Sequence, residues 1–216
     1  MPPKFIVHIG PPKTGTSSLQ EALFHNREHL LAQGYTYPGF GRHPKMPQLP
    51  GHHGIAESLQ QRQELPAEFQ TWLSQLSADH RVILSSENFA HVPAAGVQHF
   101  LQALGPENVE VIYYARRWEQ LLPSVWQELV KHGHSQSYLE FLNHQTSAPM
   151  ASVYLNYMTV LDRWSEGTDL QSLRLFSYDN LRTEGLDIVQ HFCTRVLGVD
   201  LHQDQSRTVN PRQPVG

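Results

Sequence analysis

The segment Gly10-Pro11-Pro12-Lys13-Thr14-Gly15-Thr16-Ser17-Ser18 gathers two glycines, an ammonium and a run of hydroxyls into one short stretch. Glycine tolerates the left-handed backbone that a tight loop demands. A loop of this kind that opens a helix presents free backbone N–H groups, which bind an oxyanion. Lys13 adds a full positive charge, and Thr16, Ser17 and Ser18 add hydroxyl donors. Gly10 and Gly15 have the separation of the nucleoside-triphosphate loop GxxxxGK[ST], but Thr16 stands where that loop has its lysine, and the lysine comes early, at Lys13. A triphosphate site also needs a metal ion held by a carboxylate beyond a neighbouring strand. Here that strand leads into Ser85-Ser86-Glu87, with no aspartate. The chemistry expected is therefore metal-free handling of a less charged group, with Lys13 offsetting charge on a leaving oxygen.

Such a loop needs a strand ending at its first glycine and a helix starting at its second. Phe5-Ile6-Val7-His8-Ile9 is β-branched and apolar and reads as a buried strand. From Thr16 the period changes: Leu19, Leu23, His25, Leu30 and Leu31 fall roughly on one helical face, and Gly34 ends it. Further strands are predicted at 34–38, 81–85, 109–114 and 173–176. Helices are predicted at 52–62, 66–78, 94–104, from Trp118, and at 137–144, 150–165 and 185–197. Gly39 to Gly51 is a Gly- and Pro-rich loop, read as mobile, and the tail after Leu201 is polar and irregular. Strands alternating with helices predict an α/β fold: three layers, α/β/α, around a mainly parallel sheet, with residues 1–216 as a single domain. Ligands of such sheets bind beyond the carboxyl ends of the strands, where segments 10–18, 85–88 and 115–124 fall.

Composition narrows the classes. The 216 residues suit one domain, and 39% hydrophobic residues with 10% aromatics suffice for a packed core, which excludes a wholly disordered chain. Sixteen basic against twenty acidic residues give a net charge of −4, contrary to a nucleic-acid binder, so no nucleic-acid partner is expected. The single cysteine, Cys193, excludes an intramolecular disulfide and a Cys-based metal site. The N-terminal apolar run is short and interrupted by His8, unlike a secretory leader, and no stretch reaches the roughly 20 apolar residues of a membrane span. The expectation is a cytoplasmic protein with reduced thiols.

The stretch Pro-Lys-Thr-Gly-Thr-Ser-Ser-Leu-Gln at 12–20 resembles the 5′-phosphosulfate loop of sulfotransferases that use 3′-phosphoadenosine 5′-phosphosulfate (PAPS). The second half of that signature is also present: Tyr113-Tyr114-Ala115-Arg116 ends a strand, and Ser124 follows eight positions later on the next helix. In the family this Arg-and-Ser pair grips the 3′-phosphate of the donor. A guanidinium fork gives charge-assisted bonds to phosphate, and a serine along the helix can face the same oxygens. The stretch from Tyr157 to Trp164, with Leu175-Phe176-Ser177-Tyr178-Asp179-Asn180-Leu181, is similar to bacterial sulfotransferases and implies that Tyr178 lies against the adenine. The resemblance covers most of residues 4–200. It implies a P-loop-related fold, Pro12, Lys13, Thr14, Gly15, Thr16, Ser17 and Ser18 around the phosphosulfate, adenosine 3′,5′-bisphosphate as product, and no metal. The chain departs from the family at Asn210-Pro211-Arg212-Gln213-Pro214, which is followed almost at once by the end, with Arg207 or Arg212 left to stand in for further C-terminal phosphate contacts.

Sulfuryl transfer to a hydroxyl is an in-line displacement that needs a base near the acceptor oxygen. Glu87, past a strand end, is one candidate. His52 and His53, in Gly51-His52-His53-Gly54, are the others, and His52 is the better positional match to similar bacterial sulfotransferases. His8, inside a strand, is expected to pack or to order the loop. The expected acceptor is a hydroxyl of a carbohydrate or small metabolite, with Phe40, Phe141, Tyr154 and Tyr157 available to stack on a ring. Plainer readings exist for each. The loop could be an ordinary strand–helix corner, Arg116 a surface arginine, Ser86 and Glu87 turn caps, and Tyr178, Trp118, Trp126 and Trp164 core aromatics. His52, His53, His132 and His134 are expected to be solvent-exposed or helix-end residues rather than metal ligands, and Cys193 a buried small hydrophobe. Two functional rivals remain: a P-loop small-molecule kinase or nucleotide hydrolase, which predicts magnesium-dependent ATP binding, and a catalytically inactive domain that binds the donor or its product, suggested by the short C-terminus.

Overall fold

The β-branched and aromatic runs become strands, and the structure, a computed structural model, describes them within residues 4–61, 64–77, 79–168 and 170–201. The strands among these residues are β1 (Lys4–His8), β2 (Tyr35–Thr36), β3 (Arg81–Ser85), β4 (Val109–Ala115) and β5 (Leu173–Ser177). They form one sheet in the order β2-β3-β1-β4-β5, every neighbouring pair parallel. Val7 stands opposite Leu84 and Val111, and His8 opposite Ser85 and Ile112. Alternate residues enter two cores. Phe5, Val7, Leu84, Val111 and Tyr113 pack with Phe69, Phe89, Phe100 and Trp164 on one face. Ile6, Ile83, Ile112 and Tyr114 pack with Leu19, Leu23 and Phe192 on the other. A parallel sheet covered on both faces explains strands that read as near-continuous apolar runs.

The helices that cover it are α1 (Thr16–His25), α2 (Arg27–Ala32), α3 (His53–Gln61), α4 (Ala67–Leu73), α5 (Ala94–Leu104), α6 (Trp118–Lys131), α7 (Tyr138–Ser147), α8 (Tyr157–Ser165), α9 (Tyr178–Thr183) and α10 (Ile188–His191). From β1 the chain passes to one edge, returns through β3, then crosses to the far side of β1 at β4. The direction therefore reverses beside β1, and the crevice at such a reversal is where ligands of open α/β sheets bind. Among the described residues no helix is long and apolar enough to cross a membrane.

The three-layer parallel architecture agrees with the sequence reading, and several boundaries differ. The helix expected from Thr16 to Gly34 breaks at Asn26, whose side chain turns back to the Ala22 carbonyl at 2.8 Å. The helix expected over 150–165 starts only at Tyr157. Before it, Ser152 Oγ accepts from the Tyr154 and Leu155 amides, a local bond that competes with helix. The segment expected as helix 185–197 is capped by Asp187, runs through α10 and widens into a π turn at Phe192–Leu197. Trp164 is core, but Trp118 is 51% exposed and not a core residue. Cys193 is buried, and burial pushes its thiol up to about 12, leaving it inert. Arg207, Arg212 and the segment 210–214 lie outside the described residues.

Candidate active site

The glycine-bounded loop crosses the carboxyl end of β1 and opens α1. Gly10, Lys13 and Gly15 all take positive φ, at 95°, 66° and 79°. At Gly10 the requirement is double: a Cβ there would lie 3.0 Å from the Glu87 Cα, so only glycine lets the loop press against the end of β3. Gly15 caps α1 without a side-chain hydrogen bond, and no acidic residue occupies the first turn. Amides arranged by such left-handed steps form a concave anion nest at a helix start. Thr14 is buried and donates its hydroxyl to the Pro11 carbonyl at 2.8 Å, bracing the loop, so its backbone N–H is what it offers an anion. Thr16 is buried, Pro12 and Ser18 half-buried, and Ser17 exposed.

From the other side β4 delivers Arg116. Its Nη1 donates to the Lys13 carbonyl, and its guanidinium lies over the Tyr178 ring, 5.5 Å from the centroid. Tyr178 begins α9 directly after β5, with Ser177 accepting from the Asn180 amide to start that helix. The Tyr178 hydroxyl approaches Gly15: a Cβ on Gly15 would sit 3.7 Å from it. Four residues from three strand ends are thus tied at one point, and Tyr178 is an arginine-stacked, half-buried ring rather than a plain core aromatic. Ser124 lies on α6, where its hydroxyl donates back to the Gln120 carbonyl at 2.8 Å. It has one proton, so donating to a phosphate requires its hydroxyl to turn away from that carbonyl. Lys13 Nζ, at 3.2 Å, pairs with Glu128 Oε2 one turn beyond Ser124. Beside Arg116 an open pocket of about 270 Å³ is lined by Arg117, Trp118, Tyr157, Ser177 and Asp179. Tyr157 donates its hydroxyl to the Arg116 carbonyl, and Asp179 accepts the Arg117 amide at 2.8 Å.

At the carboxyl end of β3 the base candidates separate. His52 is fully buried; its Nδ1 accepts the Ser85 amide at 3.0 Å and its Nε2 faces the Pro38 carbonyl at 3.2 Å. Those partners fix the Nε2–H tautomer and use both nitrogens, so His52 braces loop 38–51 against β3 and has no lone pair for an acceptor hydroxyl. Burial also pushes it down to about 4. The expectation that His52 faces the reaction is corrected on this geometry. Glu87 is half-buried; its Oε2 accepts from Gln20 Nε2 at 2.9 Å, which fixes the carboxylate beside the loop. His53 is buried and bonded to Ser86 Oγ at 2.9 Å. Burial lowers its basicity, and the Glu87 carboxylate works against that. Gln20 Oε1 and His53 Nε2 both crowd Gly51, where a Cβ would meet them at 2.5 and 2.6 Å. Of the two readings, solvent-exposed or helix-end, His52 and His53 take the second: they stand at the start of α3 and are buried, because a polar cluster at the sheet edge satisfies them. His132 and His134 are exposed. Among the described residues no group of His, Cys, Asp or Glu is placed to hold a metal ion.

His8 is buried with its Nδ1 2.8 Å from Ser85 Oγ, and burial lowers it to about 3. With the ordinary value at 6.5, the unfolded chain takes up protons on His8 and His52 where the folded chain does not. Stability is expected to fall as pH drops from 6.5 to about 4 for His52 and to about 3 for His8, each by up to about 1.4 kcal/mol per pH unit. Denaturant unfolding across pH 7.5–4 checks this: His52→Gln should flatten the slope below pH 6.5, and an unchanged slope would remove His52 from the account.

Sequence reasoning gave no role to Gln20 and Asp179, though both lie in the stretches that carry the resemblance, and did not single out Glu128; their contacts reach across the fold. Of the proposed acceptor rings, Phe141 is buried among α6 and α7 side chains, and Phe40 packs on Phe69 and Trp72, so neither is a free stacking surface.

No protein-family profile matches the chain, and no curated protein matches it by sequence. Solved structures do match in fold. A sulfotransferase from Alicyclobacillus acidocaldarius superposes with a TM-score of 0.58 at 16% identity, covering 98% of this chain and 87% of that one. The sulfotransferase domain from the curacin biosynthetic pathway aligns at a TM-score of 0.48 and 14% identity, over 94% of this chain and 76% of that one, too distant to add to the argument. The chain thus has the α/β fold found in a bacterial sulfotransferase.

Proposed function

We propose that the protein is a sulfotransferase that moves the sulfuryl group of PAPS to a hydroxyl of a carbohydrate or small metabolite in the cytoplasm. The observation that carries this reading is the knot at Arg116: one guanidinium joins the Lys13 carbonyl to the Tyr178 ring at the mouth of an anion nest. A nucleotide phosphorylated at both ends suits two cationic groups set on either side of a helix start. The displaced lysine speaks against the triphosphate chemistry of the kinase rival.

When bound, the donor supplies an activated S–O bond. The loop amides from Lys13 to Ser18 hold its 5′ group, Arg116 and Ser124 its 3′-phosphate, and Tyr178 flanks the adenine. Glu87 takes the acceptor hydroxyl proton as the new O–S bond forms. The old bridging S–O bond breaks, its electron pair stays on the leaving bisphosphate, and Lys13 neutralises that oxygen. Glu87 is assigned as base over His52 because its carboxylate is held by a side chain, Gln20, and keeps lone pairs free. The test is transfer of labelled sulfate from PAPS across a panel of hydroxyl acceptors. Transfer to at least one supports the enzyme, donor binding with transfer to none supports the inactive rival, and magnesium-dependent ATP turnover supports the kinase.

Arg116→Ala is expected to weaken binding of adenosine 3′,5′-bisphosphate by about 10- to 100-fold, the loss of a charged hydrogen-bonding partner. Adenosine 5′-monophosphate should lose far less. Equal losses on both nucleotides in calorimetry would take Arg116 away from the 3′ site.

A further inference from the structure

The ammonium of Lys13 has a carboxylate partner within the protein. Its Nζ pairs with Glu128 Oε2 at 3.2 Å, across 115 positions of sequence. Glu128 stands on the same face of α6 as Ser124, one turn further along, so this face looks onto the loop. The loop backbone does not depend on that pair. Arg116 and Thr14 hold it through the Lys13 and Pro11 carbonyls. Only the long side chain of Lys13 is committed to Glu128, and at 31% and 41% side-chain exposure the pair is wet and weak enough to exchange. Glu128 also has a second cation at hand, Lys131 Nζ at 3.7 Å from its Oε2, and His132 Nε2 stands 3.6 Å from its Oε1. Giving up Lys13 therefore does not leave it without counter-charge. Burial would raise its carboxyl, but Lys13, Lys131 and His132 together hold it below the usual carboxylate range, so it is anionic at neutral pH.

The geometry points to Glu128 as a positioning residue for Lys13: it parks the ammonium beside the anion nest and releases it only to a ligand with a charged 5′ group. This rests on the donor reading above. The reason is competition. A 5′-phosphate or phosphosulfate on the loop must draw Lys13 off Glu128, whereas a nucleotide charged only at its 3′ end leaves the pair intact. The same competition acts after transfer, when Glu128 recaptures Lys13 as the bisphosphate leaves. Glu128 thus taxes donor and product alike and keeps the lysine from holding the product too long.

The test compares wild type with Glu128→Gln, which keeps the shape of the side chain and removes its charge, by calorimetric titration with adenosine 3′,5′-bisphosphate and with adenosine 3′-monophosphate. The bisphosphate is expected to bind the variant about three- to tenfold more tightly, with the 3′-monophosphate unchanged. In steady state the donor KM should fall while kcat does not rise. On a Lys13→Ala background the gain should vanish, because the effect passes through the lysine. Equal bisphosphate affinity in wild type and Glu128→Gln, an equal gain for the 3′-monophosphate, or a gain that survives Lys13→Ala would each overturn the inference while the donor reading stands. Failure of both proteins to bind the bisphosphate would overturn the donor reading and this inference with it.

Discussion

Glu87→Gln is expected to lower kcat by about 10²- to 10⁴-fold with little change in donor affinity, the usual cost of losing a general base. Glutamine keeps the shape and can still meet Gln20, whose Nε2 now donates to Glu87 Oε2, so folding should survive. His52→Gln makes the contrast. Both His52 ring nitrogens serve backbone groups, the Ser85 amide and the Pro38 carbonyl, so its loss should act on stability. A buried hydrogen-bonding group left without partners costs about 1–3 kcal/mol. Turnover per folded molecule should stay within a few-fold. Thermal melts alongside single-turnover rates separate the two effects. If His52→Gln removes the chemistry while Glu87→Gln spares it, the base assignment reverses and His52 must leave its backbone partners when substrate binds.

Lys13→Ala should be nearly as severe, at about 10²- to 10³-fold in kcat, the scale of losing one donor aimed at developing negative charge. Its φ of 66° is strained for any residue with a Cβ, so alanine adds no new backbone penalty and the comparison is fair. The loss should concentrate in kcat, because the ammonium is also held by Glu128 and contributes modestly to ground-state binding. Measured kcat and donor KM for purified wild type and variant decide it. Turnover equal to wild type would show that the leaving oxygen is neutralised by another group.

These expectations draw unequally on sequence and structure. The strands were legible because Phe5 to Ile9, Val82 to Leu84 and Val109 to Tyr114 are β-branched and aromatic runs broken only by His8 and Glu110, close to what a sheet buried on both faces requires. The loop was legible because its glycines and lysine are neighbours in the chain. Helix ends were not: Asn26 and Ser152 redirect the backbone through side-chain bonds whose strength depends on the local fold. The α/β pattern put segment 115–124 at the same sheet edge as the loop, but roles for Arg116, Ser124 and Tyr178 came only through a resemblance, since their spacing does not say which side chains meet there. The role of His52 was misread for a related reason. A histidine opening a helix looks free to titrate until the Ser85 amide and Pro38 carbonyl are seen on its two nitrogens. Glu128 gave no local sign, because its partner lies 115 positions away.

The central claim is that the nest at 10–18 and the guanidinium of Arg116 together form a site for a nucleotide charged at its 5′ and 3′ ends. Titrating the wild-type protein with adenosine 3′,5′-bisphosphate, and separately with ATP plus magnesium, tests it most directly. The expected result is saturable one-to-one binding of the bisphosphate, weakened about 10- to 100-fold by Arg116→Ala, and at least tenfold weaker binding of the magnesium complex. Preference for ATP with magnesium, or no binding of the bisphosphate, would contradict it.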